Sequence, residues 1–356
     1  MIIMEKGATK EQIRDVIDEV KKHGLRADVL QGDFLTIIGL IGDERKISFS
    51  NLALMPGVKE VIAVEIPYKL ISRDYSKQFI AKEKSRIVKV GDVLIGGDEP
   101  VIMAGPCAVE SKEQIFRIAK EVKAAGAKIL RGGIYKPRSS VHSFQGLGSR
   151  GEAEAREALQ WLRAAGHQYG MPVMTEVRGE AQTELVAEYV DIMQIGARNM
   201  YDQDLLSRVG KTGKPVLLKR HFGASVEEFL SFSEYIIAEG NKDVILCERG
   251  IVPVGKGNSY TRYILDLGAV PVIKNETYLP IIVDPSHAAG RRDLIFDLSC
   301  AAIAGGAHGL VIETHYNPKE AIVDAKQMIT PDELKDVIDA SLRISRIVND
   351  YRKKSS

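Results

Sequence analysis

Short apolar runs alternate with longer amphipathic stretches eight times between residue 101 and the end of the chain, and this alternation most constrains the fold. A short apolar run predicts a buried strand, and apolar residues three and four positions apart predict a helix that packs by one face. Eight strand-helix pairs over about 250 residues predict a (β/α)8 barrel, the TIM-barrel fold. A doubly wound open sheet is the alternative.

The same pattern gives approximate bounds for each element. The predicted strands are residues 101–104, 128–130, 172–175, 192–195, 216–218, 244–246, 281–283 and 310–312. The predicted helices are residues 111–126, 152–169, 180–189, 202–209, 226–238, 260–267 and 291–304, with a closing helix from Thr330. Capping boxes support two helix starts, at Ser111-Lys112-Glu113-Gln114 and at Thr330-Pro331-Asp332-Glu333.

A small α+β domain is predicted before the barrel, at residues 1–66. Its elements follow the order βαββαβ, which is typical of a ferredoxin-like fold, and a capping box at Thr9 to Gln12 begins its first helix. Its strands lack the paired aromatic residues that stack RNA bases, so a small regulatory domain is favoured over nucleic-acid binding. Residues 67–100 are then a linker and a β-hairpin around Gly91-Asp92, and residues 101–356 are the barrel.

Charge and cysteine content exclude several classes of protein. The formal net charge is +1, so no overall field attracts nucleic acid or an acidic membrane, and any cationic site must be local. Three cysteines without a pairing pattern argue for a reducing compartment. With no leader pattern and no long apolar run, we expect a cytoplasmic protein that binds neither membrane nor nucleic acid.

Ionisable residues follow nearly every predicted strand, and a barrel builds its active site at those carboxyl ends. The residues are Cys107, Arg131, Lys136, Arg138, Glu176, Arg198, Lys219, Arg220, Cys247, Glu248, Arg249, Asp284, His287, Glu313 and His315. Cations gathered at one mouth repel each other unless anions neutralise them, so we expect a substrate pair with several negative charges. The alternative for each cation is an ion pair with a neighbouring Asp or Glu.

A divalent metal is a further possibility at the same mouth. Cys107, His287 and Glu313 are residue types that bind borderline divalent ions, and Asp324 is a possible fourth ligand. Their spacing carries no metal motif, so each taken singly is more often structural. The stretch Gly146 to Gly151 matches G-x-G-x-x-G but follows a polar loop, so we do not interpret it as a dinucleotide site.

Several motifs together resemble one enzyme family, 3-deoxy-D-arabino-heptulosonate-7-phosphate (DAHP) synthase, in the branch with an N-terminal ferredoxin-like regulatory domain. The resemblance covers residues 1 to 350. The motifs are Ala104-Gly105-Pro106-Cys107, Leu130-Arg131-Gly132-Gly133, Tyr135-Lys136-Pro137-Arg138-Ser139, Phe144-Gln145-Gly146, Ile195-Gly196-Ala197-Arg198, Leu218-Lys219-Arg220, Cys247-Glu248-Arg249-Gly250 and Asp284-Pro285-Ser286-His287.

The resemblance implies a metal-dependent condensation of phosphoenolpyruvate with erythrose 4-phosphate, at the entry to aromatic amino-acid biosynthesis. It places a divalent metal such as Mn, Fe, Co or Zn on Cys107, His287, Glu313 and Asp324. The implied contacts of the substrates are Arg131 and Lys136 with the phosphoenolpyruvate carboxylate, Ala197, Arg198, Lys219 and Arg249 with its phosphate, and Arg138 and Ser139 with the phosphate of the aldose.

Two residues are candidates for proton transfer. Glu176 is predicted to steer the attacking water, and Lys136 is predicted to protonate the new alkoxide. A related enzyme that uses arabinose 5-phosphate to make 3-deoxy-octulosonate 8-phosphate is the main alternative, but it has Lys-Ala-Asn-Arg where this chain has Lys136-Pro137-Arg138-Ser139. A non-catalytic amino-acid-binding protein and a purely structural barrel are further alternatives.

Regulation is predicted for the N-terminal domain. The resemblance implies that tyrosine, phenylalanine or another pathway product binds between such domains in a homotetramer. The predicted strand Ala27-Asp28-Val29-Leu30 lacks the small hydroxyl or His contacts that would name a particular amino acid.

Overall fold

The computed structural model describes residues 1–31, 36–41, 46–62, 67–68, 70–73, 85–136, 142–253 and 260–355. The chain divides into two compact units, Met1–Pro67 and Tyr68–Ser356. In the described residues, no helix has both the length and the apolar character needed to cross a membrane.

The first unit is a four-stranded antiparallel sheet with two helices. Its elements are β1 (Ile2–Met4), α1 (Lys10–Lys22), β2 (Arg26–Gln31), β3 (Thr36–Ile41), α2 (Phe49–Ala53) and β4 (Val58–Val61). The strand order β2-β3-β1-β4 is that of a ferredoxin-like fold. Thr9 and Gln12 form the expected capping box, and Val16 and Val20 bury one face of α1 against the sheet. The residues between β2 and β3, 32–35, lie outside the described residues.

The second unit contains a closed barrel of eight parallel strands, which confirms the predicted fold class. A hairpin comes first, formed by β5 (Val88–Val90) and β6 (Val93–Ile95). The barrel strands are β7 (Val101–Gly105), β8 (Ile129–Arg131), β9 (Val173–Val177), β10 (Ile192–Ile195), β11 (Val216–Lys219), β12 (Val244–Glu248), β13 (Ile281–Val283) and β14 (Gly309–Glu313). Because β14 pairs with β7 in parallel register, the sheet has no open edge, and the doubly wound alternative is excluded.

Helices connect these strands around the outside. They are α3 (Lys112–Ala125), α4 (Glu152–Gln168), α5 (Thr183–Tyr189), α6 (Gln203–Lys211), α7 (Val226–Ala238), α8 (Ala269–Glu276), α9 (Pro285–Ala289), α10 (Ile295–Ala304) and α11 (Pro331–Ser355). The capping box predicted before α11 is complete, because Thr330 and Glu333 each accept from the backbone N–H of the other. Before α3 only half of the predicted box forms: Ser111 accepts from the backbone N–H of Gln114, but the Gln114 side chain accepts from the N–H of Glu110.

The hairpin closes one end of the barrel. Val88, Val90 and Ile95 are buried in one cluster with inward-facing strand residues such as Met103 and Ile129. Several members of that cluster are the first residues of their strands, so the hairpin lies at the amino end of the barrel. The carboxyl end is left for polar side chains.

One predicted helix is wrong. The sequence pattern predicts a helix over residues 260–267, but the helix after β12 is α8, which begins at Ala269. The backbone N–H groups of Arg262 and Tyr263 bond to the carbonyls of Ala289 and Ala288, and Ile264 pairs with Ile251. These contacts between distant segments hold the chain extended, against its local pattern.

Candidate active site

Four candidate metal ligands meet at the carboxyl end of the barrel. One ligand atom from each of Cys107, His287, Glu313 and Asp324 can be chosen so that all lie within 4.8 Å of one another. These residues are separated by up to 217 positions in the sequence. They meet because parallel strands of a barrel all end at the same rim.

Local structure fixes each of the four ligands. Cys107 follows β7 and is fully buried, and Glu313 is the last residue of β14. His287 lies on the short helix α9, which has Pro285 at its first turn. In the described part of the chain, Asp324 is the one non-glycine residue with a left-handed backbone, at φ 55°. Asp tolerates this region better than most residues, and the turn aims its carboxylate at Cys107.

The donor set suits a divalent cation. The Cys107 Sγ lies 3.2 Å from Asp324 Oδ2. Burial raises the pKa of the Cys107 thiol well above its usual value, and the nearby Glu313 carboxylate adds to the effect. A cation held by one sulfur, one imidazole and two carboxylates would lower the pKa of Cys107 instead, because a thiol that coordinates a metal is deprotonated. Sulfur with nitrogen and oxygen ligands suits borderline ions such as Zn, Fe, Co and Mn.

The orientation of His287 is set by two carboxylates. Its Nδ1 lies 2.7 Å from Asp284 Oδ2, and its Nε2 lies 3.3 Å from Glu313 Oε1. An ionised carboxylate only accepts, and the Nδ1 contact with Asp284 is the shorter of the two, so Nδ1 is assigned the proton and Nε2 points into the cluster. Burial lowers the pKa of His287, although Asp284 and Glu313 oppose this. The ring therefore offers a neutral Nε2 lone pair, which is the form that binds metals.

Two of the predicted substrate-binding cations are paired with buried carboxylates. Arg131 donates from NH1 to Glu313 Oε1 at 2.7 Å, and Lys219 donates to Asp284 Oδ2 at 2.5 Å. For these two residues the ion-pair alternative describes what the structure shows. Even so, Arg131 keeps a buried Nε without a hydrogen-bond partner, so part of the guanidinium is still available to an anion.

Arg249 differs from Arg131 and Lys219, because no described carboxylate forms an ion pair with it. It is 4% exposed, its Cζ lies 4.3 Å from the centre of the Tyr263 ring, and its buried NH1 has no hydrogen-bond partner. The face of an aromatic ring attracts a guanidinium without neutralising it. Arg249 therefore keeps a full charge and a free donor inside the barrel mouth.

The other predicted site residues have more varied surroundings. Burial lowers the pKa of Lys136, but the nearby Cys107 and Glu176 outweigh it, so the pKa is raised and the amine stays protonated. Glu176 is buried and accepts from Gln194 Nε2 at 3.2 Å. Ala197 begins a short turn directly after β10, and Arg198 beside it is exposed. Arg138 and Ser139 lie outside the described residues.

The sequence patterns indicate no role for Asp284, Gln327 or Tyr263 at this site. Asp284 follows β13 directly, so the strand-end rule found it, but it was given no role beside His287. Gln327 donates to Glu313 Oε2 at 2.6 Å and fixes the second oxygen of that ligand. Tyr263 lies in the segment predicted as helix, and no local signal connects it with Arg249.

Two family models match the chain. Residues 77–348 match the DAHP synthetase I family, and residues 1–65 match the DAHP synthase ferredoxin-like domain. A phospho-2-dehydro-3-deoxyheptonate aldolase from Thermotoga maritima is 44% identical over 338 residues, which is 95% of each chain. A crystal structure of the same enzyme, also named DAHP synthase, has a TM-score of 0.87 at 42% identity and covers 98% of this chain and 97% of its own.

More distant relatives carry a different name. A 2-dehydro-3-deoxyphosphooctonate aldolase from Chelativorans sp. is 31% identical and covers 73% of this chain and 96% of its own length. The chain belongs to the DAHP synthetase I family. Its higher identity and coverage with the Thermotoga enzyme confirm the prediction that it is a DAHP synthase, an enzyme of the transferase class, and not the octulosonate-forming relative.

Proposed function

We propose that the barrel mouth condenses phosphoenolpyruvate with erythrose 4-phosphate and water, giving DAHP and inorganic phosphate. The observation that carries this proposal is the convergence of four metal-ligand types with buried cations that retain unpaired N–H groups. A reaction between two phosphorylated anions needs such a set of cations, and a carbonyl electrophile benefits from a Lewis acid.

Cys107, His287, Glu313 and Asp324 hold a divalent ion in this proposal. Their ligand atoms are close enough to share one cation, and Asp284, Arg131 and Gln327 fix the orientation of His287 and Glu313. The ion, when bound, polarises the aldehyde oxygen of erythrose 4-phosphate. The four-ligand set admits Mn, Fe, Co or Zn.

The cations divide between the two substrates. Arg131 and Lys136 bind the carboxylate of phosphoenolpyruvate, and the backbone at Ala197 with Arg198, Lys219 and Arg249 binds its phosphate. The unpaired Nε of Arg131 and NH1 of Arg249 support these roles, because a buried N–H without a partner is rare in folded proteins. Arg138 and Ser139 are proposed for the aldose phosphate on the basis of the sequence motif alone.

Glu176 and Lys136 move the protons. The methylene carbon of phosphoenolpyruvate bonds to the aldehyde carbon, and Lys136 protonates the oxygen that becomes an alkoxide. Water adds to the enol carbon while Glu176 accepts one of its protons. The C–O bond to phosphate then breaks, phosphate leaves with the electron pair, and the new hydroxyl passes its proton to the phosphate as it becomes the ketone oxygen of DAHP. The charge interaction of Lys136 with Glu176 supports a shared role, because the Glu176 carboxylate helps to raise the pKa of Lys136.

The test is a paired assay with metal-stripped protein and added Mn²⁺ or Zn²⁺. We expect phosphate release from phosphoenolpyruvate with erythrose 4-phosphate and at least an order of magnitude less with arabinose 5-phosphate, which is the discrimination a polar pocket can supply. Turnover with arabinose 5-phosphate but not with erythrose 4-phosphate would contradict the proposed substrate. Equal activity with and without chelator would contradict the metal.

Regulation is proposed for residues 1–66, with a cytoplasmic homotetramer as the working assembly. A tyrosine, phenylalanine or related effector would bind the ferredoxin-like units. A solved truncated form of the Thermotoga maritima DAHP synthase covers 79% of this chain at 42% identity, so a variant that lacks residues 1–66 is a reasonable protein to test. That variant is expected to keep its activity and lose inhibition, and inhibition that persists would refute the role of the domain.

A further inference from the structure

Asp284 is a fully buried carboxylate that holds two site residues with the same oxygen. Its Oδ2 accepts from Lys219 Nζ at 2.5 Å and lies 2.7 Å from His287 Nδ1. Its Oδ1 accepts from the backbone N–H of His287 at 2.9 Å and so caps helix α9. One of its partners is a proposed metal ligand, and the other is a proposed phosphate-binding cation.

The contacts continue on the far side of His287. His287 Nε2 lies 3.3 Å from Glu313 Oε1, and that oxygen accepts from Arg131 at 2.7 Å. These contacts form a continuous side-chain network that runs from Lys219 through Asp284, His287 and Glu313 to Arg131. A proposed phosphoenolpyruvate-binding cation stands at each end, and two proposed metal ligands lie between them.

Two donors share the Asp284 Oδ2, so a change at either donor affects the other. A cation on His287 Nε2 draws electron density from the ring and makes Nδ1–H a stronger donor to Asp284. The oxygen is then a poorer acceptor for Lys219, whose amine becomes more available to an anion. By thermodynamic linkage, an anion that draws Lys219 away from Asp284 must strengthen metal binding by the same factor.

We propose that Asp284 is a positioning residue that couples the metal site to the anion site by holding His287 and Lys219 with one carboxylate oxygen. This inference rests on the proposed function, because it assigns a metal to His287 and a phosphate to Lys219. Asp284 touches neither substrate nor metal in this scheme. It acts through the two side chains that do.

The experiment compares the wild-type chain with Asp284→Asn. The amide is nearly isosteric, but it carries no charge and has one accepting oxygen, so it cannot accept at the same time from the two side chains and from the backbone N–H of His287. Mn²⁺ affinity is measured by equilibrium dialysis, and phosphoenolpyruvate affinity is measured by calorimetry with and without Mn²⁺. We expect Mn²⁺ binding to weaken about 10- to 100-fold, the usual effect of losing such a support. We also expect the factor by which Mn²⁺ tightens phosphoenolpyruvate binding to fall by about fivefold or more.

Glu248→Gln is the matched control. Glu248 is also a fully buried carboxylate at a strand end, and it accepts from Arg220, the neighbour of Lys219, at 2.9 Å. It contacts none of the four metal ligands in the described structure. We expect Glu248→Gln to lower thermal stability as much as Asp284→Asn does, while Mn²⁺ affinity and the coupling factor stay within about twofold of wild type.

The outcomes separate the two proposals. A wild-type chain that binds neither Mn²⁺ nor phosphoenolpyruvate sinks the proposed function itself. A functional wild type whose Asp284→Asn variant keeps both Mn²⁺ affinity and the coupling factor refutes the role of Asp284, and so does an equal loss in Glu248→Gln. If Asp284→Asn does not fold, the test uses Asp284→Glu, because a glutamate keeps the charge and displaces the carboxylate oxygen by one methylene. The same loss of coupling is expected, and unchanged coupling overturns the inference.

Discussion

Gly196 offers a way to move Glu176 without touching the backbone or the cations. Gly196 follows β10 with φ −66° and ψ 153°, a conformation that any residue adopts. A Cβ added there would collide with Glu176 Oε1 and lie 2.9 Å from Glu176 Cδ. Only the end of the Glu176 side chain has to shift, so Gly196→Ala should displace this carboxylate and leave its surroundings in place.

The energetic cost of Gly196→Ala is moderate because two effects oppose each other. Moving Glu176 breaks its hydrogen bond with Gln194, and a hydrogen bond to a charged group is worth about 1.5–3 kcal/mol. Replacing Gly by Ala at a compatible conformation recovers about 0.4–1 kcal/mol by restricting the unfolded chain. The free energy of unfolding is therefore expected to fall by about 0.5–2.6 kcal/mol. The catalytic loss should be larger, because a positioned general base contributes about 10²- to 10⁴-fold.

The assay is steady-state kinetics with thermal unfolding on the same samples. We expect kcat to fall by about 100-fold or more, while KM for phosphoenolpyruvate changes little because the cations do not move. Gly97→Ala is the control, since a Cβ there meets nothing within 4 Å, and it should leave kcat unchanged. A Gly196→Ala enzyme with wild-type kcat and a crystal structure showing Glu176 displaced would refute the proposed role of Glu176.

Three other predictions concern separate parts of the barrel. Cys107→Ser should weaken binding of Zn²⁺ or Mn²⁺ by at least about tenfold in dialysis, because the thiolate is lost, and unchanged affinity would remove sulfur from the ligand set. Tyr263→Leu should raise KM for phosphoenolpyruvate by about three- to tenfold with kcat nearly unchanged. Tyr263→Phe keeps the ring face under Arg249 and loses only the hydrogen bond between the hydroxyl and Arg249, so its rise in KM should be smaller, and equal effects would contradict the ring's role. Burial, with Lys274 nearby, lowers the pKa of His308 from 6.5 to about 3. Because the pKa of His308 is lower in the folded chain than in the unfolded one, its protonation favours unfolding. The free energy of unfolding should therefore be fully present above pH 6.5 and fall by up to about 4–5 kcal/mol as the pH falls towards 3. In denaturant titrations at several pH values, the free energy of unfolding of His308→Gln should therefore fall less steeply with acid than that of wild type. The same pH dependence in both proteins would contradict the role of His308.

The fold was predictable because it depends on periodicity, and the position of a site residue was predictable from topology only where that residue follows or ends a strand. Cys107 and Glu313 follow or end strands β7 and β14, so a rule about barrel topology was enough to bring them together. Asp324 reaches the cluster from a left-handed turn that no apolar pattern reveals. Tyr263 reaches Arg249 because its backbone pairs with Ala288, a contact between segments that local propensity cannot foresee.

The pairing of the buried cations also decides which substitutions can test the site. Glu313 is at once a proposed metal ligand and the carboxylate partner of the buried Arg131. Removing one partner of a buried ion pair costs about 3–5 kcal/mol, because the other charge is left uncompensated. A Glu313 variant would therefore lose stability and metal together, and its inactivity would not show which loss came first. A change at Gly196 alters the charge interaction of Glu176 with Lys136 but leaves the ion pairs of Arg131 and Lys219 in place, and Asp284 has Glu248 as its matched control. At these two positions, binding and catalysis can be measured separately from folding.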